Sequence, residues 1–507
     1  MLELNEGLDL DDVNDVVCNA REVTLGAPLL ERVDTSHAFL EAFAANKIIY
    51  GVNTGFGPMA QYRIDDANRE QLQLNLIRSH ASGTGALMSP THVRATMLAR
   101  LNTLGLGFSG IHRNALELLV ALLNKRITPL IHEHGGVGAS GDLVQLAHLA
   151  LVLIGEGEVF KDGQRAPTAE VFAQEGLSPL RMRIREGLAL MNGTSSMNGI
   201  GLVNCILARR LLGWMIKCSA AINELVQTYD DHLSESLNAS KRHPGQRAVA
   251  ARMREHLSDS TLVRDRGEHL YTAEAKSDVF REKVQEYYSL RCVPQILGPV
   301  QDTLENTVRV LVDELNSAND NPIIDVAGQH VYHGGNFHGD YVSLEMDKLK
   351  LVVTRMSTLA ERQLNYLMNP KINDVLPPFT NLGTLGLNFG LQGVQFTATS
   401  TAAENQMLAN SMYVHSIPNN NDNQDVVSMG TNAALITARV IDNAFEVVAI
   451  ELMAIAQALD YLELHEQAST ATRSMYDSIR GIVPKTVTDH PHYTSVNALK
   501  AHISRLD

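Results

Sequence analysis

The chain has 507 residues, 45% hydrophobic and 20% charged, with a formal net charge of -15. That balance belongs to a folded protein too long for one ordinary core, and its charge repels nucleic acid with no basic run to offset it. No stretch reaches the 18 or so consecutive apolar residues of a membrane span, and Cys18, Cys205, Cys218 and Cys292 show no CxxC spacing that would suggest a disulfide framework or a zinc site.

The N-terminal MLELNEGLDLDDVNDVV is acidic and lacks the basic-then-apolar order of a signal peptide, so a cytoplasmic location is expected. Lys47–Val52 reads as a short strand, and residues 132–142, HEHGGVGASGD, read as a loop. A long apolar pattern from about Gly199 to Gln227, through Leu202, Ile206, Leu212, Met215 and Ile222, predicts a helix. A second helix is predicted from about Pro299 to Leu315, and Val326–His333 reads as a strand. From Val342 the apolar positions Met346, Leu349, Val353, Met356, Ala360 and Leu367 step mostly by three and four, one buried helical stripe that Pro370 should stop. Residues 369–393 form a second glycine-rich loop. Thr431–His465 contains neither Gly nor Pro and predicts a helix of roughly 50 Å at about 1.5 Å per residue.

Helices this apolar on more than one face need partners on several sides. The expected fold is therefore mainly α: a long central helical bundle over 191–465, a smaller N-terminal α+β region over 1–190 carrying the active-site loops, and a helical tail over 466–507.

The chemistry centres on Gly138-Ala139-Ser140-Gly141-Asp142-Leu143. Gly141 has no side chain, so its nitrogen can approach the Ala139 carbonyl, and Ser140 carries a hydroxyl that can leave as water. Ring closure and dehydration would give a five-membered imidazolone with an exocyclic methylene, an electrophile that ordinary side chains lack. An isolated ASG triplet is more often a plain tight turn before a helix.

The surrounding sequence decides otherwise. GVGASGDLVQLAHLALVLIGEGEV resembles the signature of the histidine and aromatic amino acid ammonia-lyases, whose cofactor is 4-methylidene-imidazol-5-one (MIO). YGVNTGFG at 50–57, EGLALMNGT at 186–194, YSLRCVPQ at 288–295, NDNP at 319–322, GNFH at 335–338 and DNQDVVSM at 422–429 resemble further segments of that family, in family order. The resemblance implies the fumarase/aspartase-like helical architecture, a homotetramer with active sites shared between subunits, and an aromatic amino acid as substrate, with neither nucleic acid nor membrane as partner. It implies that Ala139, Ser140 and Gly141 form MIO autocatalytically, without a metal, and that this electrophile activates the substrate amine as a leaving group.

The same resemblance assigns roles. Tyr50 is the candidate base for the Cβ proton; an ordinary tyrosine titrates near pH 10 and so needs activation by its surroundings. Glycines 51, 55 and 57 would let its loop move as a lid, with Gly57 beside the substrate. Arg291 is expected to clamp the carboxylate with its planar fork, Tyr288 to orient the substrate near MIO, and Asn192 to donate toward the MIO carbonyl. Asn319 and Asn423 are expected as carboxylate or backbone-ordering contacts, Phe337 beside the ring, and Glu404 near the substrate amine.

Ser79-His80 stands where this family selects its side chain. An imidazole can bond a phenol hydroxyl, which points to tyrosine, although histidine lyases of the family also carry Ser-His. Gln424 stands where those histidine lyases have Glu, so the combination favours elimination of ammonia from L-tyrosine to p-coumarate. Histidine ammonia-lyase, phenylalanine ammonia-lyase and tyrosine 2,3-aminomutase activities remain as alternatives. Two other classes are weighed. The pairs His132/His134 and His333/His338 match no established zinc spacing. An inactive helical scaffold derived from the family would be expected to have lost Tyr50, Ser140 or Arg291, and all three are present.

Overall fold

The computed structural model describes residues 1–45, 47–272, 278–280 and 283–505. Four long helices dominate it: Ser195–Leu225, Val293–Leu315, Asp340–Met368 and Gly430–Leu462. The stripe read from the sequence is the buried face of Asp340–Met368, where Val342, Met346, Leu349, Val353, Met356, Ala360, Leu364 and Leu367 are all fully buried. The helix ends at Met368, and Pro370 opens a separate short turn, Pro370–Asn373. Gly430–Leu462 is buried on every face from Val447 to Leu459, which marks it as the central element, packed on Asp340–Met368, Ser195–Leu225 and Gln392–Leu408. Its 33 residues span about 50 Å.

Ser195–Leu225 is long and apolar enough to cross a membrane by length and composition alone. Most of it is buried in the fold, against Pro90–Gly105, Val293–Leu315 and Gly430–Leu462, so it is a core helix.

Three expectations shift. Lys47–Val52 is a turn and not a strand: Val52 N and Asn53 N both donate to the Ile49 carbonyl, and the chain doubles back to bridge Thr54 with Arg63. Val326–His333 contributes only His330–Tyr332 as strand, paired antiparallel with Ile323–Asp325 across a turn. The helix predicted from Pro299 begins at Val293 and runs through Pro299, which forgoes one main-chain bond.

Strands among the described residues are short and serve as clasps. Thr84–Leu87 pairs antiparallel with His132–His134, with Thr84 opposite His134 and Leu87 opposite His132. This pairing ties the end of the Arg69–His80 helix to the segment that leads into Ala139.

Candidate active site

Two of the motif segments meet at Gly141. Its φ is +69° and it bridges Gly193 in parallel, while Asp142 N donates to the Gly193 carbonyl at 2.8 Å. A Cβ on Gly141 would overlap that carbonyl, so only glycine fits this position. Asp142 then anchors the loop from below. Its carboxylate accepts from Ser196 N and Met197 N, both at 2.8 Å, in the first turn of Ser195–Leu225, and from the Thr431 hydroxyl at the start of Gly430–Leu462. Full burial pushes its pKa up to about 6, against those hydrogen bonds, which pull it down.

Above this anchor lies a cavity of about 740 Å³. Tyr50, Gly57, Ser79, His80, Ala139, Ser140, Asn192, Phe337, Asn423 and Gln424 all line it. The Asn192 side-chain amide donates to the Ser140 carbonyl at 3.2 Å, and the Gln424 amide donates to the Ser140 hydroxyl at 3.2 Å. Ser140 of the tripeptide is thus open to the cavity and held by two donors that line it as well.

Tyr50 enters from the loop that replaces the expected strand. Its hydroxyl oxygen accepts from Gly57 N at 3.0 Å, and its ring meets Phe56 edge-on at 6.0 Å. Its main-chain N–H donates to His333 Nε2 at 3.4 Å, which docks the loop on the Ile323–Tyr332 hairpin.

The Arg69–His80 helix forms one wall, with Leu72, Leu76, Ser79 and His80 on the face toward the cavity. His80 Nδ1 lies 2.9 Å from the Leu76 carbonyl oxygen. A carbonyl only accepts, so Nδ1 carries the proton, and in the neutral ring Nε2 is an acceptor. Ser79 Oγ, at 3.0 Å from Nδ1, itself donates to Leu76 O.

Other candidates lie elsewhere in the chain. Asn319 sits behind Gly193, buried, with Oδ1 3.5 Å from Arg100 Nη1. Tyr288 and Arg291 line a second cavity of about 750 Å³ together with Gln285, Arg362 and Tyr366. There the Arg291 guanidinium lies over the Tyr288 ring, 4.7 Å from its centre, and Nε donates to the Glu286 carbonyl at 2.9 Å. Glu404 lies on Gln392–Leu408 and faces Arg439 at 3.6 Å, outside both cavities. One chain therefore separates the candidate base and electrophile from the candidate carboxylate clamp. Of the histidine pairs, His338 faces Asp340 at 3.1 Å, His333 Nε2 accepts from Tyr50 N and His132 Nδ1 lies 3.2 Å from the Gly85 carbonyl oxygen; no group of three His, Cys, Asp or Glu side chains among the described residues is arranged to hold a metal.

Sequence reasoning missed Leu72 and Leu76, although their spacing to Ser79 and His80 is a helical repeat that could have revealed them. It also missed Arg100 and the anchoring role of Asp142, for which only the three-dimensional contacts give a signal.

Residues 8–481 match the family model for aromatic amino acid lyases. The chain belongs to the aromatic amino acid lyase family. A tyrosine ammonia-lyase of Cupriavidus metallidurans is 40% identical to this lyase-family chain over 504 residues, covering 97% of it and 93% of the relative. A protein of Streptomyces globisporus named an MIO-dependent tyrosine 2,3-aminomutase is 38% identical over 99% of this chain and 94% of its own. A solved structure of a tyrosine aminomutase from that organism matches with a TM-score of 0.95 and 36% identity, covering 100% of this chain and 97% of that one. A histidine ammonia-lyase of Geobacillus thermodenitrificans is 37% identical over 98% of this chain and 96% of its own. This lyase-family chain is thus similar to ammonia-lyases and aminomutases alike, at nearly equal identity, and similarity alone does not choose its substrate.

Proposed function

We propose that this enzyme eliminates ammonia from L-tyrosine to give p-coumarate, with MIO formed from Ala139, Ser140 and Gly141. The observation that carries the choice of substrate is the contact of His80 Nδ1 with the Leu76 carbonyl oxygen at 2.9 Å. With Nδ1 committed to Leu76, Nε2 is the acceptor His80 has left to offer in a cavity that Ser140 also lines. A phenol hydroxyl is a donor that satisfies it, and the unsubstituted ring of phenylalanine leaves it unpaired. Neutral Gln424 on the same cavity offers no charge to favour an imidazole substrate.

The residues present fit MIO. In ring closure the Gly141 nitrogen bonds to the Ala139 carbonyl carbon and that oxygen leaves as water; Ser140 then loses its α-proton and hydroxyl as a second water, leaving an exocyclic double bond. The tight pairing of Gly141 with Gly193, and the Asn192 donor on the carbonyl that the ring would keep, support this closure. Once formed, MIO supplies an electrophile that turns the substrate amine into a competent leaving group.

The chain's own groups do the rest. Tyr50 takes the Cβ proton, the Cα–N bond breaks, a carbon–carbon double bond forms and ammonia departs. The Gly57 N–H at the Tyr50 oxygen is the fixed donor that an oxyanion there needs. Arg291 receives the carboxylate in a bidentate pair, with Tyr288 beside it. Asn319 and Asn423 order the loops, Phe337 packs along the ring, and Glu404 provides charge near the amine.

Sharing of each site between neighbouring chains would reunite these groups. Tyr288 and Arg291 open onto a different cavity from Tyr50, and Glu404 onto neither. Tyr341 and Leu351 on Asp340–Met368, Phe396 and Met407 on Gln392–Leu408, and Leu387 and Phe389 before it are exposed apolar side chains that need cover. A homotetramer whose subunits share each active site accounts for both features.

The test is product formation. Tyrosine, phenylalanine and histidine are supplied in parallel, and near-ultraviolet absorbance follows the unsaturated acid. Tyrosine should give p-coumarate at the highest kcat/KM. Accumulation of β-tyrosine in place of p-coumarate would establish the aminomutase alternative, and preference for histidine would overturn the assignment.

A further inference from the structure

Behind the tripeptide lies an arginine that none of the motif segments contains. Arg100 is on Pro90–Gly105 and is fully buried. Its Nη2 donates to the Ala189 carbonyl, and Nη1 lies 3.5 Å from Asn319 Oδ1. Ala189 belongs to the short helix Glu186–Met191, which ends on Asn192. A helix leaves its last carbonyls without internal partners, and a buried guanidinium here supplies one.

The consequence runs outward by contact. Asn192 follows directly, and its amide reaches Ser140 O. Gly193 comes next, with φ +144°; a Cβ there would run into both the Arg100 guanidinium and Asn319. Gly193 also bridges Gly141 and receives the Asp142 N–H. Arg100 and Asn319 therefore pack closely against Gly193, which pairs with the tripeptide.

The charge is maintained. Burial pulls the Arg100 pKa down to about 10, while Asp320 and Asp142 favour the cation, so it stays charged at neutral pH. Arg185, also buried, pairs with Asp320 at 2.9 Å and completes the cluster. Among the described residues the Nε of Arg100 has no hydrogen-bond partner, and its polar contacts run through the two terminal nitrogens to Ala189 and Asn319.

We propose that Arg100 is a positioning residue for ring closure: it caps Ala189 and backs Gly193, and so holds Asn192 and Gly193 in the register that brings Gly141 onto the Ala139 carbonyl. The inference rests on the reading of 139–141 as the source of MIO. It extends that reading to a residue which touches neither the tripeptide nor the substrate.

The experiment is intact-mass spectrometry of purified wild type, Arg100→Met, Arg100→Lys and, as a control, Arg480→Met. Arg480 is a largely buried arginine that pairs with Asp460 outside the cavity. Wild type should be lighter than its sequence by two waters; failure of that result is failure of the MIO reading itself, whatever the variants do. Given it, the ring-closed fraction of Arg100→Met should fall about tenfold or more, since a misplacement of about 1 Å is enough for losses of that order. Arg100→Lys, which keeps one donor for Ala189 and loses the fork, should be intermediate, and it decides the matter if the methionine variant is insoluble. Turnover should fall in step with the closed fraction while KM stays within about twofold. Arg480→Met should lose thermal stability and remain fully closed. Complete closure in the Arg100 variants, or loss of closure in Arg480→Met in proportion to its fall in Tm, would overturn the proposal.

Discussion

The side-chain amide of Asn192 donates to the main-chain carbonyl of Ser140 across 3.2 Å, joining two segments 52 positions apart in sequence. In the ring proposed for residues 139–141 this carbonyl is the one that remains. A donor fixed on it withdraws electron density from the electrophile, with no reorganisation needed during the reaction. Replacement by alanine removes the donor and leaves the cavity otherwise intact. Asn192→Ala is expected to lower kcat by roughly 10²- to 10³-fold, with KM for tyrosine little changed, as steady-state kinetics will show.

Ser140→Ala removes the hydroxyl that must leave as water. Turnover should fall by about 10³-fold or more, and the intact mass should show no double dehydration. Circular dichroism should be unchanged, because among the described residues the Ser140 hydroxyl bonds to the Gln424 side chain and supports no helix.

His80→Phe removes the acceptor proposed for the substrate phenol. An unpaired buried hydroxyl costs about 1–3 kcal/mol, or roughly 5- to 150-fold. The ratio of kcat/KM for tyrosine over phenylalanine should fall by a factor in that range. An unchanged ratio would remove His80 from substrate selection.

Asp142 gives a pH dependence with a definite sign. Its pKa rises from 3.8 to about 6 on folding. A carboxyl raised in this way favours the folded state at pH below about 4 and loses that contribution as pH rises through about 6. Two units correspond to about 3 kcal/mol. Asp142→Asn keeps acceptor and donor capacity without titrating. The stability of Asp142→Asn relative to wild type should therefore increase by about that amount between pH 4 and pH 7, as denaturant unfolding at the two pH values will measure.

Much of this was legible before the structure. Asp340–Met368 follows the apolar stripe from Val342 to Leu367 because burial on one face imposes a helical period. Gly430–Leu462 matches the long run free of Gly and Pro. The tripeptide and Asn192 were found from local motifs, and the fold brings them together with Tyr50 and His80. What stayed hidden depends on contacts between distant segments. Lys47–Val52 is rich in β-branched and aromatic residues like a strand, yet Ile49 collects two turn bonds, and this turn carries Tyr50 to the cavity. Arg100 sits in an unremarkable helical pattern; only its contacts with Ala189 and Asn319 give it a place at the site. The separation of Arg291 from Tyr50 is likewise invisible in a linear chain, because motif order carries no information on which cavity a side chain lines.

The most direct test of the account is the intact mass of the purified wild-type chain, measured alongside Ser140→Ala. The account predicts that wild type falls short of its sequence mass by two water molecules and that the variant does not. A wild-type mass equal to that of the unmodified sequence would contradict it, since no electrophile would then be present to release the amine.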